Sequence, residues 1–444
     1  MKPDALAKHP ATMQTGAGIV AALQTKHYLL LATLGFYVLV LPIAHTIVLR
    51  NMAFLGLIAL TLALLVERKQ WPQFPLWQAW LAYASIGLIS VFLAFDPAAS
   101  AGEFRTEFLY CFTIFMVGSI WGGQFAAFRA FAWLFVAANL VLVSFALAFA
   151  GVAMPFDVLR RIPPIASAGL NTNWILAVIF LHVWLILHLW QAQRRLLPAL
   201  LVGLIGLDVW AMMVGYNRQT LLALGIGVAC WGPAMLYRKF SWWRVLSLVV
   251  VLGAVALLFS FQIHHRTGDV GAVPLPGTAP TSLVERARSG IMADPRWEIW
   301  RFSIARIAEH PLAGGGPGRY VFRKLYPEFH ADDPDHWHAH NMILNKGIQM
   351  GVPGMLTFLF LWFSLARELI RHVRTSVAHG SLAVAGLSIA GAVFVKNMTD
   401  DFFVRDTALM FWLVMGLLVG VLRSTQSAAI DTDVASGSSR EPAQ

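Results

Sequence analysis

Runs of about 20 mostly apolar residues, the length that carries a helix across a bilayer, follow one another along most of the chain with short polar turns between them. They fall at 28–48, 51–66, 76–95, 108–121 and 126–150, then at 172–192, 197–215, 219–237 and 243–263. After a gap, three more follow at 350–366, 381–396 and 407–423. The pattern predicts an all-α polytopic membrane protein of about twelve transmembrane helices. Only Arg50 and Asn51 separate the first two runs, and the first of them carries Pro42. The organisation that results is a polar N-terminal segment (1–27), nine helices (28–263), one long hydrophilic stretch (264–349), three further helices (350–423) and a Ser/Ala-rich tail (424–444) that reads as disordered. The first apolar run leads straight into a second, so no cleavable signal peptide is expected. No internal repeat of the kind found in many transporters is evident.

The stretch 264–349 is the one long loop, and loops of that length are functional or disordered. Its first third, 264–282, has the composition of a mobile segment. Asp294-Pro295 reads as a helix N-cap followed by proline at the first helical position. RWEIWRFSIARIAEH (296–310) is then an amphipathic helix, lying on the outer membrane face or packing over the bundle. HPLAGGGPGRY (310–320) breaks that helix with glycines and makes a tight turn.

Composition narrows the class further. Of the 444 residues, 58% are hydrophobic and only 13% are Asp, Glu, Lys or Arg, about half the usual share of roughly 25%. This excludes a disordered chain, a disulfide scaffold and an ordinary soluble enzyme. The two cysteines, Cys111 and Cys230, sit in apolar runs and imply no disulfide framework. The net charge of +10 would suggest nucleic acid in a soluble protein. Here it follows from the rule that Lys and Arg collect in cytoplasmic loops. With a cytoplasmic N-terminus, the inner loops hold Arg68, Lys69, Arg129, Arg194, Arg195, Arg238, Lys239, Arg244, Arg367, Arg371, Arg374 and Arg423. The outer loops hold fewer: Arg50, Arg105, Arg160, Arg161, Arg218, Lys396 and Arg405. Acidic residues, among them Asp96, Glu103 and Glu107, accompany several of these outer charges. Both termini are therefore expected in the cytoplasm of a bacterial inner-membrane protein, with 264–349 in the periplasm. Membrane lipids are the expected partners, and nucleic acid is not.

Candidate chemistry gathers on the outer side. Arg218, in YNRQT, stands at a helix start against the charge bias, where free amides and the helix dipole favour anions; an interfacial capping arginine is the alternative. Arg296 opens the amphipathic helix, with Arg286, Arg288 and Arg301 nearby, either as a phosphate ligand or as a solvated surface charge. Paired guanidinium hydrogen bonds suit phosphate oxygens. The densest polar cluster is ADDPDHWHAHN (331–341), with Asp332, Asp333, Asp335, His336, His338 and His340. It can be read as a metal site, as a histidine base beside carboxylates, or as a polar loop; its spacing matches no metal signature such as H-E-x-x-H. Asp400 and Asp401 reach the same side, to orient a base, to bind sugar hydroxyls, or as ordinary loop charge.

After His340-Asn341 come nine residues and then Gly351-Val352-Pro353-Gly354, where a span begins. This H-[N/S/Q]-x9-G-x-x-G pattern resembles that of the O-antigen ligases, the WaaL proteins, within the wider O-antigen ligase/polymerase superfamily. Arg218-Gln219 at an outer helix start, Arg296-x-x-x-Trp300 and the glycine-rich HPLAGGGPGRY support it, so the resemblance runs from about Arg218 to Gly354. The resemblance implies a GT-C-like, metal-independent, inverting glycosyltransferase. Such an enzyme moves a glycan from undecaprenyl diphosphate to a sugar hydroxyl, which in the ligases belongs to the lipid A–core oligosaccharide. His340 takes the place of the motif histidine and would act as general base, with His338 able to share or replace it. Arg218 and Arg296 would hold the diphosphate and stabilise it as it leaves. Gln219, Asn341 and Asp401 would support them. Direct transfer needs no cofactor, in line with the lack of a nucleotide motif.

Other readings remain. An O-antigen polymerase or a protein O-oligosaccharyltransferase differs only in its acceptor. A lipid-linked sugar transporter predicts midplane charges and repeat symmetry, whereas the charges here concentrate on the outer surface. A metalloenzyme would be built on HWHAH.

Overall fold

The computed structural model describes residues 28–43, 45–68, 73–123, 125–150, 168–214, 218–238, 249, 252–258, 296–328, 338–374, 377–399, 401 and 403–437. Residues 1–27, the first part of the hydrophilic stretch at 264–295, the acidic run 329–337 and Asp400 lie outside them, as does most of the predicted span 243–263. Among the described residues all regular structure is helical. In chain order the helices are α1 (Tyr28–Val40), α2 (Ile47–Arg68), α3 (Trp77–Phe92), α4 (Pro97–Phe104), α5 (Cys111–Gly122) and α6 (Phe125–Ala150). Next come α7 (Ala168–Gln191), α8 (Leu196–Val214), α9 (Arg218–Arg238) and a short α10 (252–258). The series ends with α11 (Arg296–Glu309), α12 (Val321–Leu325), α13 (Met342–Val373), α14 (Val377–Thr399) and α15 (Arg405–Gly437).

Among the described residues, five stretches are long and apolar enough to cross a membrane: Ile47–Glu67, Asn173–Gln191, Met342–Val373, His379–Thr399 and Arg405–Ser424. Five shorter apolar helices, within α1, α3, α6, α8 and α9, match predicted spans as well. Three boundaries differ from the sequence pattern. The first turn falls at 41–46, around Pro42, and Arg50 and Asn51 lie inside α2. Proline lacks an amide proton and clashes with the preceding turn, so it ends α1 where the hydropathy pattern runs on. The last helix continues past Ser424 to Gly437, because the alanines and isoleucine of this tail suit a helix that already has a long template behind it. The last loop does not end at 349: α13 begins at Met342 and bends at Gly351.

The helix preceding the fourth predicted span starts early. Asp96 caps it by accepting from the Ala99 amide at 3.1 Å, and Pro97 takes the first helical position. Between α4 and α5 the chain makes a π-helical turn, Arg105–Tyr110. The wider turn points Glu107 and Phe108 into the bundle, both buried.

Two devices join helices in the apolar interior. Gly118 and Gly122 of α5 face Gly416 and Gly420 of α15; a Cβ at Gly122 would meet the Leu417 carbonyl, and one at Gly416 the Phe115 carbonyl. This small-xxx-small contact lets two backbones touch, which is how helices gain packing energy where lipid removes the hydrophobic drive. Elsewhere Asn139 on α6 donates to Asp208 on α8 at 2.9 and 3.2 Å, Trp174 on α7 donates to the Asn139 carbonyl at 3.3 Å, and His182 Nδ1 lies 3.6 Å from Asp208. All four side chains are fully buried. Charge is thus not confined to the outer surface, as the sequence pattern had implied; Asp208 is accommodated inside because α6 and α7 supply it with polar partners.

The glycine contact makes a sharp comparison. Gly122→Ala should lower the stability of detergent-solubilised protein by about 1–3 kcal/mol, since the obstructing atoms are backbone. Gly203→Ala on α8, which meets open space, should be neutral or raise stability by up to about 1 kcal/mol. Tryptophan-fluorescence melting curves of the two variants check this, and equal effects would mean that the close α5–α15 approach contributes nothing special to stability.

Candidate active site

The site is built on the first arm of α13, residues 342–350. Asn341 caps it from an extended backbone (φ −152°, ψ 118°), its Oδ1 accepting from the amides of Ile343 at 3.0 Å and Leu344 at 3.1 Å. At the far end Gly351 adopts φ +66°, which breaks the helix before the membrane-crossing arm begins. A broken helix leaves carbonyls without partners. The glycine-rich turn supplies them: the Gly315 amide donates to Ile348 O and the Gly316 amide to Gln349 O, both at 2.9 Å, and the Val352 amide donates to Pro311 O at 2.8 Å. Gln349 Nε2 also donates to Gly318 O at 3.0 Å. A Cβ at Gly314 would strike Ile348 O, and one at Gly351 would strike the Pro311–Ala313 backbone. Glycine is needed here because two backbones meet.

His338, Ala339 and His340 lead into this arm. Ala339 is fully buried in a small apolar cluster with Ile299 and Ile307 of α11, Val321 and Phe322 of α12, and Ile348. His338 is fully buried, whereas His340 is half-buried. The two rings lie 4.1 Å apart between centroids. His338 Nδ1 accepts the His340 backbone amide at 2.9 Å. A ring nitrogen that accepts carries no proton, so His338 is neutral with its proton on Nε2. His340 itself takes φ +48°, a left-handed conformation uncommon outside glycine and characteristic of constrained functional positions.

Arg296 opens α11, whose buried face is Ile299, Ser303 and Ile307. Burial at steps of four is what the amphipathic pattern predicts, and it places this face over the bundle rather than toward solvent. With its amide turned so that Oε1 faces the guanidinium, Gln219, at the start of α9, accepts from both terminal nitrogens of Arg296, one at 2.7 Å. Arg218 begins α9 beside it, and its side chain lies outside the described set. The structure thus brings Gln219 to Arg296, and the Arg296 helix to the His338–His340 segment through the shared apolar cluster. Arg286, Arg288, Asp332, Asp333, Asp335 and His336 lie outside the described residues. Among the described residues no group of three or more His, Cys, Asp or Glu is placed to hold a metal ion.

The residues that anchor the arm are not singled out by the sequence motifs. Lys346 forms a buried ion pair with Glu107 of the π turn at 2.5 Å and bonds to Gln349 Oε1 at 3.2 Å. Its ammonium also lies 5.8 Å from the Phe358 ring centre. Asn345 donates to Asp401 Oδ2 at 2.7 Å, and Asp401 Oδ1 accepts from the Phe403 amide at 3.2 Å. Burial raises the Asp401 carboxyl above its ordinary value, against the nearby Lys346 charge and the Asn345 donor. The available signal is Lys346 itself, a lysine within MILNKGIQM at the head of an apolar run. Glu107, by contrast, looks in the sequence like one more acidic residue among the outer loop charges.

Residues 204–359 match the O-antigen ligase family. The matched segment contains Arg218-Gln219, Arg296-x-x-x-Trp300, the glycine-rich turn and H-N-x9-G-x-x-G, so the resemblance seen in those residues holds over the part of the chain that carries them. No curated protein gives a significant match to the chain. The O-antigen ligase match ends at residue 359, just beyond the Gly351 bend and Gly354. It therefore includes both Lys346 and the glycine turn that caps the arm, while Glu107 and Asp401 come from outside it.

Breaking the Lys346–Glu107 pair tests its role in holding the arm. Lys346→Met leaves a buried carboxylate unpaired and should cost about 3–5 kcal/mol. Adding Glu107→Leu to that variant should recover most of the loss. Thermal unfolding of the single and double variants reads this, and a double variant no more stable than the single one would show that the two groups do not depend on each other.

Proposed function

We propose that the protein is a bacterial inner-membrane glycosyltransferase of O-antigen ligase type. It moves a glycan from undecaprenyl diphosphate to a sugar hydroxyl of the lipid A–core oligosaccharide. The reading is supported by one observation: α11, whose first residue Arg296 meets Gln219, shares an apolar cluster with Ala339, the neighbour of the left-handed His340. An amphipathic helix, arginine at its start and an accessible histidine at the mouth of a bundle suit a substrate whose lipid stays in the bilayer and whose phosphates sit at the interface.

In this mechanism His340 accepts the proton of the acceptor hydroxyl. The oxygen attacks the anomeric carbon, and the bond to the lipid diphosphate breaks on the opposite face, inverting that centre. Arg218 and Arg296 stabilise the charge that collects on the departing diphosphate, with Gln219 orienting the Arg296 guanidinium. No metal and no nucleotide take part. His338 cannot serve equally as base, because its Nδ1 lone pair is committed to the His340 amide; it holds the backbone that aims the His340 ring. Asn341 and Asp401 fix the arm behind it.

The topology that goes with this has about twelve spans, both termini in the cytoplasm and the site on the periplasmic face. Residues assigned to the outer loops meet at one end of the bundle: Arg50 with Asp406, Arg405 with Glu103 at 2.9 Å, and Lys346 with Glu107. Residues assigned to the inner side, Arg371 and Arg423, meet on Glu368 at the other, at 3.3 and 2.5 Å.

Purified protein with lipid-linked glycan and lipid A–core should form capped lipopolysaccharide without ATP and in the presence of EDTA. Chain extension of the lipid-linked glycan in place of capping would make it a polymerase, and no transfer to either acceptor would end the reading. His340→Ala should lose turnover by at least about a hundredfold, the usual scale for a general base. His338→Asn, which keeps an acceptor where Nδ1 stood, should retain most of the turnover that His338→Ala loses, with an unchanged pH profile. The reverse order, with His338→Asn inactive and His340→Ala active, would move the base to His338.

A further inference from the structure

At the end of the bundle opposite the histidine arm, a groove of about 690 Å³ lies between the start of α3 and the last turns of α13. Its volume is within the range of small-molecule sites, roughly 300–1,000 Å³. From Gly351 to Arg371, α13 rises about 30 Å at 1.5 Å per residue, the thickness of a bilayer's hydrocarbon core. The groove therefore lies at the other water–lipid boundary, which the loop charges assign to the cytoplasm.

Three arginines line it: Arg367 and Arg371 on α13, and Arg423 on α15. Among the described residues, the one carboxylate in the lining is Glu368. That carboxylate is buried and already shared. Arg423 Nε donates to its Oε1 at 2.5 Å, Arg371 Nη1 donates to its Oε2 at 3.3 Å, and His372 Nε2 lies 3.7 Å from Oε1. A guanidinium carries five N–H donors. Arg371 and Arg423 each use one on Glu368, and Arg367 lines the same groove as an exposed residue. The segments of chain that adjoin the lining, 69–72, 375–378 and 425–430, bring one lysine and no acid.

The rest of the wall suits a lipid. Phe74 and Trp77, at the inner end of α3, are about half-exposed, and aromatic rings favour the membrane interface. Phe360 lines the groove two turns before Arg367, about 10 Å deeper in the bilayer. Beyond it, the exposed side chains of Leu81 on α3 and Leu356 and Phe363 on α13 continue the apolar surface along the membrane core.

We propose that this groove binds an anionic glycerophospholipid, its phosphate on Arg367, Arg371 and Arg423 and one acyl chain along Trp77 and Phe360. Planar, multiple N–H donors recognise phosphate oxygens, and basic pockets between helices on the cytoplasmic side take such headgroups. A zwitterionic lipid fits less well. Its ammonium would face the arginines, while the carboxylate that could receive it is already shared. The bound lipid bridges α3 to α13 and α15 across the groove. The inference does not depend on the reaction assigned to the outer face.

The test uses full-length protein in detergent, titrated with phosphatidylglycerol or with phosphatidylcholine of the same acyl chains. Native mass spectrometry counts the lipids bound. Wild type should bind the first phosphatidylglycerol at least about twentyfold more tightly than the first phosphatidylcholine. Arg367→Gln and Arg371→Gln should each cut that preference about fivefold, the usual effect of one basic residue at an anionic surface. Arg367→Gln leaves the Glu368 bonds intact, so it carries the test even where Arg371→Gln lowers the melting temperature. Removing two exposed arginines from the inner α7–α8 turn, by Arg194→Gln with Arg195→Gln, should leave the preference unchanged. Glycerophosphoglycerol, the same headgroup without acyl chains, should compete at least about a hundredfold more weakly. Equal affinity of wild type for the two lipids overturns the proposal. An equal loss in the Arg194/Arg195 variant does so too, by reducing the preference to general surface charge. Competition by the bare headgroup at the lipid's own concentration would assign the groove to a soluble phosphate and likewise overturn it.

Discussion

The meeting of the glycine-rich turn with the broken end of α13 is the interaction on which the site depends. A helix that stops at a membrane interface exposes carbonyls that neither lipid nor a neighbouring side chain readily satisfies. Here Gly315 and Gly316 donate to Ile348 and Gln349, and the return bond from Val352 to Pro311 closes the contact from the other side. With those carbonyls satisfied, the 342–350 arm can leave the direction of the span beyond Gly351. That change of direction sets where Asn341, and with it His340, emerges.

Once the arm is free of the span, it needs its own anchors, and they are polar. Lys346 reaches Glu107 on one side and Asn345 reaches Asp401 on the other. Burying such groups is costly unless each is matched, so the arm tolerates few orientations. Glu107 can meet Lys346 because the π turn at Arg105–Tyr110 points it inward. The apolar contact with α11 through Ile299 and Ile307 completes the support and brings Arg296 to the same end of the molecule. Apolar burial sets how closely the parts pack, while the charged pairs choose among the packings available.

Much of the fold was legible because hydropathy reports burial in lipid directly: each predicted run within the described residues is a helix. The errors came where a backbone rule competes with hydropathy. Pro42 ends α1 although the apolar run continues to Val48, and MILNKGIQM, assigned by its polarity to the loop ending at 349, is a helical arm that runs from Met342 to the bend at Gly351. Of the candidate site, His340, Arg296 and Gln219 are picked out by local patterns, since motif spacing and helix starts are short-range features. Lys346 and Glu107 could not be paired, being 239 residues apart, and no periodicity links them. The motif spacing singles out His340, but it leaves His338 able to share its place. The hydrogen bond from the His340 amide to the His338 ring, and the full burial of His338, separate the two in a way that sequence does not show.

The left-handed backbone at His340 has an evolutionary consequence. That conformation costs a side-chain-bearing residue about 1 kcal/mol or more, and the residues that relieve the cost most readily are glycine and asparagine. Neither offers an imidazole. Drift toward a more stable chain would therefore favour, at this one position, the replacements that disarm the proposed base. On the proposed reading, selection for turnover keeps histidine there, against the preference of the fold itself.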